Sequence, residues 1–199
     1  MTTEEPGRLS ADDLFRRLAT RIAEGTYRPG SKLSDKSLAQ DLGVTRTPVR
    51  EAIQRLARAG LMAVHANRFS QVTEITQERS RVTREFAAFH FEEIIPEAMI
   101  GLSEQHFDLA HQHIRAAIDA ADSGKGWVSA HVELFDFLTQ QTLSEIHRLL
   151  LSDFWYLVVR DLYLREPRPD TRPALQDLSA SLSSRDAEAG VRAIRHIFK

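Results

Sequence analysis

The chain contains no cysteine. Disulfide bonds and thiolate zinc sites are therefore closed to it. No apolar run approaches the roughly 18 residues that a spanning helix needs, and the first residues are polar. Neither a membrane span nor a signal peptide is expected, which points to a cytoplasmic protein with no membrane partner. No nucleophile elbow, phosphate-binding loop, dinucleotide-binding glycine pattern or zinc signature occurs, so no enzyme constellation is visible. Beyond Thr76 there is no strand-like alternation and no hairpin signal, and the chain has neither an internal repeat nor a low-complexity tract.

What remains is an ordinary globular composition. With 199 residues, 42% hydrophobic and 27% charged, one or two domains are expected. The net charge of −2 conceals an asymmetry. Residues 1–73 hold 12 Lys and Arg against 8 Asp and Glu, whereas residues 74–199 hold 14 against 20. A basic module joined to an acidic one suggests that only the first faces nucleic acid.

The most informative stretch is Ser34 to Leu61, SDKSLAQDLGVTRTPVREAIQRLARAGL. Ser34 suits a helix N-cap, and Leu38 and Leu42 share one face of a short helix over Lys36 to Leu42. Gly43 suits the left-handed position that ends such a helix. Thr45 then caps a second helix, and Pro48 falls in its first turn, where a missing N–H matters least. Val49, Ile53 and Leu56 form that helix's apolar stripe. Ala39, Gly43 and Val49 follow helix-turn-helix spacing: a small residue where helices touch, a turn glycine and an apolar anchor. Thr45, Arg46, Thr47 and Arg50 then lie on the exposed side, where arginine can reach phosphate or bond bidentately to guanine. A helical hairpin with a solvated basic face satisfies the same pattern.

Upstream, Ser10 and Asp13 resemble a capping box for a helix over about Ala11 to Glu24, with Leu14, Phe15, Leu18 and Ile22 on its apolar face. Downstream, Leu61 to His65 and Ser70 to Thr73 read as two short strands around Ala66-Asn67-Arg68. That is a wing, whose Arg68 either contacts DNA or is a solvated turn residue.

The run RPGSKLSDKSLAQDLGVTRTPVREAIQRLARAGL resembles the winged helix-turn-helix of the GntR family of bacterial transcription regulators. The matching features are Pro29-Gly30, Leu33 to Ala39, LGV-x-RTPVREA over Leu42 to Ala52, and the Gly60-Leu61 ending. The resemblance implies binding of double-stranded operator DNA by Lys36, Thr45, Arg46, Thr47, Arg50 and Arg68.

The remainder reads as helical. Expected helices span Thr76 to Leu102, kinked or restarted at Pro96, then about 104–121, 127–142, 145–164, 174–184 and 186–199, with Arg165 to Pro173 as a loop. The whole is expected to be mainly α. A winged helix-turn-helix of three helices and a two-stranded wing (1–75) precedes an antiparallel all-α bundle of about six helices (76–199). Helix count and order are similar to the effector (FCD-like) domain of the FadR-type branch, as is the Arg185-Asp186-Ala187-Glu188-Ala189 turn, with arginine where glycine is usual. This resemblance implies a homodimer whose helical domain binds a small-molecule effector.

That branch commonly holds a metal through an Asp-x-x-x-His pair and later histidines, a spacing that puts both ligands on one helix face. Here Val132 and Asp136, or Asp136 and Gln140, occupy the corresponding positions, so no metal or other cofactor is expected. Arg84, His90, Glu92, Asp136, Gln140, Tyr156 and Arg160 are the polar candidates for an effector pocket, and guanidinium suits a carboxylate-bearing ligand. Each is also satisfied as a solvated charge or surface ion pair. A DNA-binding protein whose helical domain only dimerises stands as the alternative.

Overall fold

Ser10 opens the first helix, α1 (Ala11–Ala23), through a reciprocal cap. The Asp13 amide donates to Ser10 Oγ at 3.1 Å, and the Ser10 amide donates to Asp13 Oδ2 at 3.1 Å. Aspartate thus does here what Glu or Gln usually does in a capping box. In the computed structural model, residues 9–65, 69–121 and 125–199 are described. The chain divides into two compact units, Met1–Thr76 and Gln77–Lys199.

In the first unit, α1 buries Leu14, Phe15, Leu18 and Ile22. Strand β1 (Lys32–Leu33) leads into α2 (Asp35–Leu42), which Ser34 caps by accepting the Ser37 amide at 3.0 Å. Gly43 closes α2 at φ 66°, the left-handed conformation that an L side chain resists. Helix α3 (Arg46–Arg58) follows and buries Val49, Ala52, Ile53 and Leu56. The Arg55 guanidinium lies over the Phe15 ring and binds Asp12, tying α3 to α1. Strands β2 (Met62–His65) and β3 (Phe69–Val72) complete an antiparallel sheet of order β1-β3-β2, with Met62 opposite Val72 and Lys32 opposite Gln71.

The expected two-stranded wing is therefore part of a three-stranded sheet. A two-residue strand carries too little alternation to be read locally. It is held by long-range bonds instead: the Gly30 amide donates to the Val72 carbonyl and the Val72 amide to the Ser31 carbonyl, each at 2.9 Å.

The second unit is helical in all its described elements. These are α4 (Gln77–Gly101), α5 (Glu104–Ala120), α6 (Lys125–Gln141), α7 (Glu145–Leu164), α8 (Thr171–Ser184) and α9 (Ala187–Ile197). Ser103 and Ser144 cap α5 and α7, and Asp186 caps α9 by accepting the Ala189 amide at 2.9 Å. Of the kink or restart expected at Pro96, the restart does not occur: α4 runs through it as one helix. Proline removes one intrahelical bond, but Ile94, Ile95, Ala98 and Met99 are buried on both sides of it and hold the helix together. Helix α8 begins three residues earlier than expected. Pro173 falls in its first turn, where no N–H is needed. Phe91, Phe135 and Phe198 meet in the centre of the unit, with ring centroids 4.6 to 5.6 Å apart, and Trp155 edges against Phe91 at 5.8 Å. None of the described helices is long and apolar enough to cross a membrane.

Candidate nucleic-acid interface

Because Val49, Ile53 and Leu56 turn inward, the opposite face of α3 is left to solvent. Arg46, Thr47 and Arg50 are exposed there, and Lys36 is exposed on α2. Thr45 sits at the N-cap position of α3, but its side chain makes no capping bond. Its hydroxyl is thus not consumed by the helix end and is available to an acceptor such as a phosphate oxygen. Arg68 lies outside the described residues.

Asp35, the first residue of α2, joins the two arginines. Arg46 Nη2 donates to both carboxylate oxygens at 2.9 Å, and Arg50 Nε donates to Oδ2 at 2.6 Å. The two arginine side chains remain 54% and 63% exposed, against 22% for Asp35. The bonds from Arg50 and Arg46 hold the Asp35 carboxyl below the usual carboxylate range. Asp35 was not among the sequence candidates. An acid one residue past an N-cap reads locally as a partner of the helix dipole, and its pairing with residues 11 and 15 positions on is a property of the folded turn.

Beside this group, α3 and the sheet enclose an open depression of about 570 Å³. Asp35, Arg46, Arg50 and Gln54 line one side, and His65 and Phe69 the other. The Lys32 ammonium stands 4.5 Å from the Phe69 ring centroid, and His65 packs on the same ring at 4.7 Å. A basic helix face flanked by a wing is an arrangement that takes a nucleic-acid groove.

Of the effector-pocket candidates in the helical unit, Arg84, His90, Glu92 and Asp136 each meet partners outside that set. Arg84 Nη1 donates to Ser80 Oγ at 2.7 Å and lies 3.6 Å from Asp161 Oδ2. Asp161 also receives Ser80 Oγ and lies 3.4 Å from Arg165 Nε, so two guanidinium groups flank one carboxylate. Burial pushes Arg165 down to about 10, with Asp161 opposing. His90 is buried against Phe86 and His147, at centroid distances of 4.2 and 5.5 Å. Burial, then His147, lowers its pKa. Glu92 accepts from Arg195 at 2.7 Å. Asp136 keeps part of its surface open to solvent, yet surrounding protein pushes its carboxyl up to about 6, with Trp155 pulling the other way. Gln140 is exposed on α6, Tyr156 half-buried on α7 and Arg160 buried on α7. Asp161, Arg165 and His147 were not among the sequence candidates. They meet α4 across the bundle from α7 and its C-terminal end, a relation that no local spacing encodes.

His131 is fully buried, with Nδ1 2.9 Å from the Trp127 carbonyl, and burial pushes it down to about 4. It is a neutral packing residue. Among the described residues, no three or more His, Asp or Glu side chains gather as metal ligands would.

A helix-turn-helix whose second helix presents arginine and threonine beside a small antiparallel sheet defines a winged-helix DNA-binding domain. Residues 10–69 match the family model described as "Bacterial regulatory proteins, gntR family", and this N-terminal domain is a GntR-family helix-turn-helix domain. The chain is 32% identical over 62 residues to the uncharacterized HTH-type transcriptional regulator YdhC of Bacillus subtilis, covering 31% of this chain and 28% of that one. It is 32% identical over 95 residues to the HTH-type transcriptional regulator McbR of Escherichia coli, covering 44% and 43%. It is 25% identical over 163 residues to the fatty acid metabolism regulator protein of Escherichia fergusonii, covering 74% and 66%. The aligned stretch thus spans under a third of the length of YdhC and under half of McbR. The structure of E. coli McbR superposes with a TM-score of 0.76 at 19% identity over 94% of this chain and 92% of that one, which establishes a common fold. The relatives that define the N-terminal domain carry the names of transcriptional regulators, not of enzymes.

Proposed function

We propose that the protein is a cytoplasmic transcription regulator that binds operator DNA as a homodimer, and that its helical unit, residues 77–199, dimerises and responds to a small carboxylate-bearing effector. The observation that carries this reading is the exposed Thr45-Arg46-Thr47…Arg50 face of α3 on a GntR-family domain. Arg46 and Arg50 read bases or adjacent phosphates, Thr45 and Thr47 bond phosphate, and Lys36 contacts the backbone from α2. A dimer of such domains reads two half-sites about 34 Å apart.

Dimerisation is supported by α7. Its residues Ile146 and Leu149 are 67% and 73% exposed, and neighbouring Leu143 and Leu150 are exposed as well, a concentration of apolar surface that a monomer rarely leaves to water. An anionic effector is supported by the α4–α7 region. Arg84 and Arg165 share only Asp161, and the buried Arg84 Nε, His90 Nδ1 and His147 Nδ1 atoms have no hydrogen-bond partner among the described residues. Buried donors of this kind commonly receive a ligand or water. An effector that prefers one spacing of the two recognition helices shifts the population toward or away from the DNA-competent dimer.

One observation favours a second reading. Phe91, Phe135 and Phe198 fill the middle of the helical unit, as expected of a module that only dimerises. The two readings separate by thermal denaturation against a panel of small carboxylic acids. Binding to the native state raises the midpoint, by about 2.7 kcal/mol of stability at a hundredfold excess over Kd, whereas a dimerisation module stays unmoved. The DNA reading is tested by selecting duplexes from a randomised pool with the purified chain. Enrichment of a two-half-site sequence is expected, with Arg50→Ala losing about 1–3 kcal/mol on it. Failure to enrich any sequence would sink the proposal.

A further inference from the structure

We infer that Asp35 is a positioning residue for DNA recognition: its carboxylate fixes Arg46 and Arg50 for base readout and suppresses their indiscriminate attraction to phosphate. The inference rests on the DNA-binding reading above and adds a determinant of specificity to it.

The geometry separates two kinds of nitrogen. Arg50 gives only Nε to Asp35, and its two terminal nitrogens make no bond to any described residue. Those terminal nitrogens form a fork, and a fork held at its stem is suited to donate to O6 and N7 on the edge of a guanine. Arg46 is anchored the opposite way, through Nη2 on both carboxylate oxygens, which leaves Nη1 and Nε for a neighbouring base or phosphate. Arginine is otherwise a long, mobile side chain, and these two are more than half exposed. Without an anchor each would find the nearest phosphate, which carries no sequence information. The helix end does not require Asp35, because Ser34 already accepts the Ser37 amide. The carboxylate also cancels one of the two positive charges on this face. It thereby lowers the sequence-independent, salt-sensitive part of binding, which depends on how many phosphates are neutralised.

The test uses the full chain, the duplex that the wild type enriches from a randomised pool, and a scrambled duplex of the same composition. For Asp35→Asn, affinity for the scrambled duplex is expected to rise. The slope of log affinity against log salt on that duplex should steepen by about one. The ratio of enriched to scrambled affinity should fall by about tenfold or more. Asp35→Glu keeps the carboxylate and should retain most of the discrimination. In an Arg46→Ala, Arg50→Ala background, Asp35→Asn should change the ratio far less, because both groups it positions are gone. A merely structural role would weaken binding to both duplexes together and leave the ratio and salt slope in place. That result, or a ratio within about twofold of wild type, overturns the inference. If the wild type enriches no duplex at all, the DNA-binding reading itself fails and takes this inference with it.

Discussion

Arg185 stands at φ 54°, the only non-glycine residue with positive φ among the described residues. It closes α8 in the left-handed conformation, at the position where glycine is the usual solution. An L side chain costs about 1–2 kcal/mol there. Its guanidinium lies 5.3 Å from the Phe107 ring centroid, an exposed cation–π contact that offsets about 0.5–1 kcal/mol. The strain is the larger of the two, so Arg185→Gly should stabilise the fold by about 0.5–1 kcal/mol. Urea unfolding should show a raised midpoint at unchanged slope, and a lowered midpoint would mean that the ring contact dominates. His131 gives a prediction in pH. Burial depresses its pKa from 6.5 to about 4, so the unfolded chain binds a proton that the folded chain refuses. Its contribution is complete above pH 6.5 and is lost as pH falls from 6.5 towards 4, about 3 kcal/mol in all. Asp136, raised to about 6, works in the opposite direction over an overlapping range and flattens the total curve. The clean measurement is therefore the difference between wild type and His131→Leu. It should move in favour of the variant by about 3 kcal/mol between pH 7 and pH 4, and a difference that is constant with pH would refute the assignment.

At the scale of the element, the caps were readable one residue at a time. Ser10, Ser34, Ser103, Ser144 and Asp186 all sit at the helix starts where their side chains predict them. Gly43 is at the turn its spacing assigns. Proline was legible only in part. Pro96 starts no new helix, because the packing on either side keeps α4 continuous, and Pro173 lies inside a helix start rather than a loop, because it is harmless in a first turn. Strand β1 was missed for the converse reason, since its pairing is wholly non-local. Packing between elements gives a further prediction. Gly190 of α9 faces α4 and α8 so closely that an added Cβ would lie 2.6 Å from Met99 Cε and 2.7 Å from Ile95 Cγ2. Alanine is favoured over glycine in a helix by about 1 kcal/mol. The Met99 methyl can move aside, but the branched Ile95 cannot do so cheaply. Gly190→Ala should thus destabilise by about 1–2 kcal/mol despite its better helix propensity. A rise in the thermal midpoint would show that α9 shifts away without loss.

For the whole molecule, the chain joins a GntR-family DNA-binding domain to a helical unit that exposes Leu143 just before α7 and Ile146, Leu149 and Leu150 on it. If this face joins two copies, as proposed, a charge at its centre should separate them. Leu149→Glu should shift sedimentation from dimer towards monomer at micromolar concentration, while circular dichroism stays that of a folded helical protein. Operator affinity should fall with it, because two half-sites are then no longer bound as one. A variant that sediments as the wild type does would place the dimer contact elsewhere.

The sequence by itself determined the helix-turn-helix, its exposed arginines and threonines, the helical character of residues 77–199 and the starts of most helices. Each of these is written in residues a few positions apart, through caps, turn glycines and apolar periodicity. Only the tertiary structure decided that Asp35 holds Arg46 and Arg50 together, that a third strand joins the wing, and that Arg84 and Arg165 converge on Asp161. Apart from Arg165 and Asp161, which stand four positions apart on one helix end, those relations join residues 11 to 77 positions apart. They exist only once the chain has closed its loops, and no local pattern of side chains carries that information.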